Sequence, residues 1–362
     1  MIPLDGVLDA CIDANIILAL GALLWAVTRA ALTPTRMARA YTGQLRLLYA
    51  MLALVAAVPV ALLLVPGTLP QASLSDLVLA EYLDGRFTMA PTTFESLLML
   101  RDTLVRDVTT LRTVPGTAIA LILGAGIAFG LARTLHSLIR LHRMIAQSYL
   151  LRRSGRVDIR LTDTGHIPFS TRGFWRYHVV IPSAMLARPE DLRIALAHEF
   201  QHLRQGDLLW ELALELLRPL FVFNPAMSYL KHQVERCREL ACDQGVMRRR
   251  GVSAQRYASA LLRVCADATR NRRLPELQPS VALVQLRGTR NTRFLRQRVA
   301  AMMRGPAPAD GSGWVAAIML PLAVTIGLAG LSLQPSGDWS QDRLMLSTIV
   351  NLERMAQRSQ AH

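Results

Sequence analysis

Four stretches of the chain stay apolar for about 20 residues, the length a helix needs to cross a bilayer. They are residues 14–32, around IILALGALLWAV, then 47–65, then 114–132, TAIALILGAGIAFGLA, and finally 314–333. Residues 67–113 between the second and third carry mixed helical signals and no legible motif. Residues 133–313 are one domain's worth of chain. That block opens with FGLARTLHSLIRLHRMIAQSYL, which predicts a helix continuing out of the third span. The alternation in VDIRL and the run HVVIP predict two or three strands. From Pro189 to about Asp267 the spacing is helical, with a breaker, FNP, at Phe223 to Pro225. The segment LLWELALELLRPLFVF is apolar but carries Glu211, Glu215 and Arg218 at helical spacing, so it predicts a core or membrane-apposed helix rather than a fifth span. The expected fold is an α-helical integral membrane protein of four spans, with an α+β, mostly helical domain between the third and fourth. Residues 1–66 form a transmembrane hairpin and residues 334–362 a short tail.

Charge adds a direction. The net charge is +15, and 40 of the 41 basic residues are arginine. Such a balance suggests a nucleic-acid partner, but 30 of the 41 lie between Arg133 and Arg304. The flank before the first apolar run holds Asp5, Asp9 and Asp13 and no basic residue, unlike a secretory signal. Arg29, Arg36, Arg39 and Arg46 follow that run, which places the N-terminus outside and the first loop in the cytoplasm. Alternation then makes 67–113 external, 133–313 cytoplasmic and 334–362 external. Topology accounts for the basic balance, the bilayer becomes the expected partner of the arginines near it, and direct nucleic-acid binding is not expected. The four cysteines show no secreted framework and are expected reduced. Cys237 and Cys242 are read as small helix residues.

The candidate chemistry lies in ALAHEFQHLRQGD, Ala195 to Asp207. Histidines four apart share a helix face, so His198 and His202 can aim at one cation, and Glu199 can reach its water as general base. Pro189, Glu190 and Asp191 make a good helix start. Zinc catalysis needs a third ligand. QVERCRELACDQGV places Glu235, Glu239 and Asp243 on one face of a second helix. Glu239 is the expected ligand, Glu235 the weaker alternative, and Asp243 the carboxylate that holds a ligand histidine through its other ring nitrogen. Asp207 is expected to cap the next helix. His136 and His142 read as solvated, and His166 and His178 as packing or loop residues.

HEFQHLRQGDLLWE, LFVFNPAMSYL and ERCRELACDQGV together resemble the BlaR/MecR antirepressor metallopeptidase family. FSTRGFWRYHVVIPSAML resembles its strand before the zinc helix, and the four-span layout also matches. The resemblance implies a gluzincin-like zinc peptidase of the bacterial inner membrane, with zinc held by His198, His202 and Glu239 and with Glu199 catalytic. The family's antibiotic receptors carry an external penicillin-binding sensor after the fourth span. Here 29 residues follow Leu333 without an S-x-x-K motif, so beta-lactam sensing through such a domain is not expected.

The expected activity is zinc-dependent hydrolysis of a cytoplasmic protein, with a winged-helix repressor as one candidate substrate. The alternatives are a membrane quality-control protease and a non-catalytic sensor with structural zinc. An extended substrate is expected to pair along the strand around Phe174 to Ile181. Tyr257, His232 and several arginines are candidate oxyanion donors.

Overall fold

The structure, a computed structural model, describes residues 4–64, 74–86, 89–163, 167–173, 175–250, 252–270, 292–305, 312–333 and 341–360. His166, Phe174 and most of the arginine-rich stretch after Arg270 lie outside these. The helices are α1 Leu4–Leu32, α2 Tyr41–Leu64, α3 Leu74–Leu83, α4 Pro91–Leu98, α5 Leu100–Thr110, α6 Val114–Ala146, α7 Pro189–Gln205, α8 Asp207–Leu217, α9 Pro225–Arg250, α10 Ala254–Arg270, α11 Thr292–Met303, α12 Ser312–Ser332 and α13 Gln341–Gln360. The strands are β1 Tyr149–Ser154, β2 Val157–Thr162, β3 Phe169–Arg172 and β4 Tyr177–Pro182. Among the described residues, four helices are long and apolar enough to cross a membrane: Leu4–Leu32, Tyr41–Leu62, Val114–Ala146 and Gly313–Ser332. The first begins earlier than its apolar run, so Asp5, Asp9 and Asp13 are helical.

The chain divides into two compact units. One comprises Met1–Leu24, Ala50–Ala125 and Ala317–His362. In it, glycines let helices approach closely: a Cβ on Gly21 would sit 3.3 Å from Val55, and one on Gly330 would meet Val58, Leu62 and Ile17. Among the described residues, the segment between the second and third spans forms three helices and the tail a fourth. Leu79, Phe94, Leu346 and Val350 form a core shared by α3, α4 and α13, with Tyr82 stacked on Phe94 at 3.8 Å. Arg101 of α5 reaches Asp9 and Asp13 of α1, each at 2.9 Å.

The other unit comprises Trp25–Tyr49 and Gly126–Ala316. Its sheet has the order β1-β2-β4-β3, with β2 and β4 parallel and the outer pairs antiparallel. Side chains alternate across it, as strand geometry requires. Val179 and Ile181 pack with Leu192, Ala195 and Leu196 of α7. Val180 faces the other way, onto Leu141, Met144 and Ile145 of α6. The sheet is thus covered on both faces. Two expectations change here. The helix leaving the third span stops at Ala146, because Tyr149–Ser154 pairs with β2. And β4 is interior, so it offers no free edge to a substrate; the sheet edges are β1 and β3.

Pro189 opens α7 with Glu190 and Asp191 in its first turn, and Gly206 closes it in the left-handed region at φ 73°. Buried Asp191 takes Arg263 of α10 at 2.5 Å. The FNP break falls between α8 and α9, where Phe223 and Pro219 lie against Gly126 and Gly130 of α6.

Candidate active site

The α-helical repeat of α7 puts His198 and His202 one turn apart on the face toward α9. Their Nε2 atoms are 3.2 Å apart. Glu239 of α9 faces both, with one carboxylate oxygen 3.5 Å from Nε2 of His198 and the other 3.7 Å from Nε2 of His202. Two donors about 2.0–2.1 Å from a tetrahedral ion lie about 3.3–3.4 Å apart. The spacing of these three donors therefore fits one small cation. Glu235, the weaker alternative, turns instead to Lys231 at 3.9 Å.

A second set also qualifies. His198, His202 and Cys242 lie within 4.8 Å of one another in their donor atoms and could hold an ion. The Cys242 sulfur, however, lies 3.3 Å from Nδ1 of His198. Using it would occupy the nitrogen that Tyr257 already contacts at 2.8 Å. The set with Glu239 uses Nε2 of both rings and leaves each Nδ1 to its own partner. We favour it on that ground.

Those partners set the ring orientation. Nδ1 of His202 is 2.8 Å from the Asp207 carboxylate, which is itself buried and accepts from the Tyr49 hydroxyl at 3.3 Å. Asp207 thus does not cap α8: Gly206 occupies the cap position and no side chain caps the helix. The left-handed turn at Gly206 carries Asp207 back to His202. Asp243 acts on the other histidine, through an intermediary. Tyr257 donates to Asp243 at 2.9 Å and meets His198 on its other side, while Arg298 clamps Asp243 with two bonds of 2.7 and 2.8 Å. Asp243 itself is 3.5 Å from His198.

Arg298 also approaches Glu239 at 3.0 Å. Burial raises the Glu239 pKa, but Arg298 and the two histidines outweigh it and hold the carboxyl well below the usual range. Burial lowers the pKa of His198, yet Cys242 and Glu239 overcome this and lift it to about 10. His202 moves the same way, with burial opposed by Cys242, Asp207 and Glu239.

His198, Glu199, His202 and Glu239 line one cavity of about 130 Å³, whose lining also includes Pro168 and, from β3, Phe169 and Ser170. Glu199 is 8% exposed, low for a carboxylate unless it has a task. The oxyanion candidates resolve differently. Tyr257 is buried between His198 and Asp243 and is a positioning residue. His232 is 65% exposed and faces Glu235. Arg238 and Arg298 line the cavity, but Arg238 is paired with buried Glu211.

Sequence reasoning missed the roles of Asp207, Tyr257, Arg298 and Cys242. Asp207 had a signal, since it follows His202 by five residues across a glycine. Arg298 and Tyr257 had none, because they come from α11 and α10.

Span-length helices joined to a helix-and-sheet domain that carries a metal-competent donor cluster are the marks of a membrane metallopeptidase. A family model described as BlaR1 peptidase M56 matches residues 98–298, more than half of the chain. The chain belongs to that family. No curated protein matches it.

Proposed function

We propose that the chain is a membrane-embedded zinc endopeptidase that cuts a cytoplasmic protein, a transcriptional repressor or regulator in a signalling system. The observation that carries the catalytic part is the triangle of Nε2, Nε2 and carboxylate donors at 3.2, 3.5 and 3.7 Å, with Glu199 in the same cavity. His198, His202 and Glu239 would hold the ion. Zinc bound there supplies polarisation of the scissile carbonyl and a water of lowered pKa. Glu199 takes the proton of the attacking water and delivers it to the leaving amine. Asp207 and Tyr257 keep each imidazole turned so that Nε2 faces the ion.

The substrate strand belongs at the β3 edge, where residues 167–170 line the cavity, rather than at β4. An intact Glu199 supports catalysis over a structural metal site, since ligation does not require it. The cytoplasmic placement rests on the arginine bias of residues 133–313. The repressor class of substrate rests on family membership.

Glu199→Ala in the native host tests the reading. A DNA-binding protein that stays uncut in the variant and is cleaved in the wild type supports it. A cytoplasmic proteome in which no peptide bond depends on Glu199 ends it.

A further inference from the structure

The helix that carries the two histidines has a second face. Gln201, Arg204 and Gln205 look away from the metal-competent cluster and line a separate cavity of about 540 Å³, within the range of small-ligand sites. The first two turns of α2, from Thr42 to Tyr49, form another wall, and the second half of α9 a third. Four arginines line it: Arg46, Arg204, Arg248 and Arg249. Among the described residues, no aspartate or glutamate does.

Other arginines of this unit sit on carboxylates, among them Arg238 on Glu211, Arg263 on Asp191, Arg298 on Asp243 and Arg176 on Asp158. Among the described residues, Arg46, Arg204 and Arg249 form no ion pair. Like charges converging on one concavity repel, and an anion relieves that cost. Guanidinium forks match the oxygens of a phosphate group; Gln201 adds a neutral amide, and Gln205 and Gln244, whose amides already donate to the carbonyls of Ala241 and Arg39, each keep a second N–H. The α2 wall belongs to a helix long and apolar enough to span a membrane, and its polar end is where anionic headgroups lie.

We propose that this cavity binds a phosphate group, carried by an anionic lipid or by a soluble phosphate. Its location also links it to the other site. Tyr49 lines the cavity and donates to Asp207, the carboxylate that holds His202. The binding proposal stands whether or not the peptidase reading does.

The test uses the full chain in nanodiscs at fixed ionic strength, read by the thermal unfolding midpoint. One arm replaces phosphatidylcholine discs with discs containing phosphatidylglycerol. The other adds inorganic phosphate to phosphatidylcholine discs. The variants are Arg204→Gln with Arg249→Gln, both exposed and thus tolerant, and a control pair on β1, Arg152→Gln with Arg153→Gln. A rise of about 2–4 °C that the cavity pair abolishes and the control pair keeps supports the site. If it occurs in the lipid arm the source is the headgroup, and if in the phosphate arm the source is soluble. No rise in either arm, or a rise equal in both variants, overturns the proposal.

Discussion

The carboxylate of Asp207 lies 2.8 Å from Nδ1 of His202, although the two residues belong to different helices. This contact fixes which nitrogen of His202 can face a cation. Asp207 is 1% exposed, so its oxygens are satisfied by protein partners rather than by water. Asp207→Ala is expected to weaken zinc affinity about 10–100-fold. Competition against a chelator of known affinity measures this. Unchanged affinity would mean that His202 is oriented by packing alone.

Two residues of α9 compete for the place of third ligand, Glu239 and Cys242. The Glu239 carboxylate lies within 3.7 Å of both Nε2 atoms, whereas the Cys242 sulfur sits on the Nδ1 side of His198. Glu239→Gln is expected to lose the ion, and Cys242→Ser to retain it. Metal content of the purified variants decides between them, and the reverse pattern would transfer the role to Cys242.

Tyr257 connects His198 to Asp243 with contacts of 2.8 and 2.9 Å. Tyr257→Phe removes the link while Arg298 continues to neutralise Asp243. We expect zinc affinity to fall about tenfold or more, with the far-ultraviolet circular dichroism unchanged. An effect on stability with none on affinity would reduce Tyr257 to a packing residue.

Arg101 joins α5 to Asp9 and Asp13 and also donates to the Leu333 carbonyl at 2.7 Å. Asp13 is 8% exposed, so Arg101→Met leaves a largely buried carboxylate without its cation. The expected loss is about 1–3 kcal/mol, reduced from that of a fully buried pair because Arg101 retains some solvent contact. Denaturant unfolding in detergent measures it. The double variant Arg101→Met with Asp13→Asn should recover part of the loss.

Several features were legible along the chain because local periodicity carries them. Four apolar runs of bilayer length become four span-length helices. Proline with two acids starts α7 and glycine ends it. The i, i+4 spacing puts both histidines on one face and Glu239 on one face of α9. The segment between the second and third spans and the tail were not legible. Their helices are short or amphipathic, and they are packed by Leu79, Phe94, Leu346 and Val350, which are far apart in sequence. The identity of the free sheet edge was also hidden, because strand order depends on which strands pair: β2 pairs directly with β4, in parallel, and β3, between them in sequence, lies outside β4.

By itself, the order of residues determined the helices and the type of chemistry they carry, since a helix face is set within a turn or two. Tertiary structure alone decided the arrangement around those residues. It placed Asp207 on His202, sent Asp243 to His198 by way of Tyr257, drew Arg298 from another helix, and made β3 the edge beside the cavity. All but the contact of Asp207 with His202, five residues apart across Gly206, are long-range pairings of polar groups or strands, selected by packing and by the cost of leaving such groups unsatisfied. No local pattern encodes that cost.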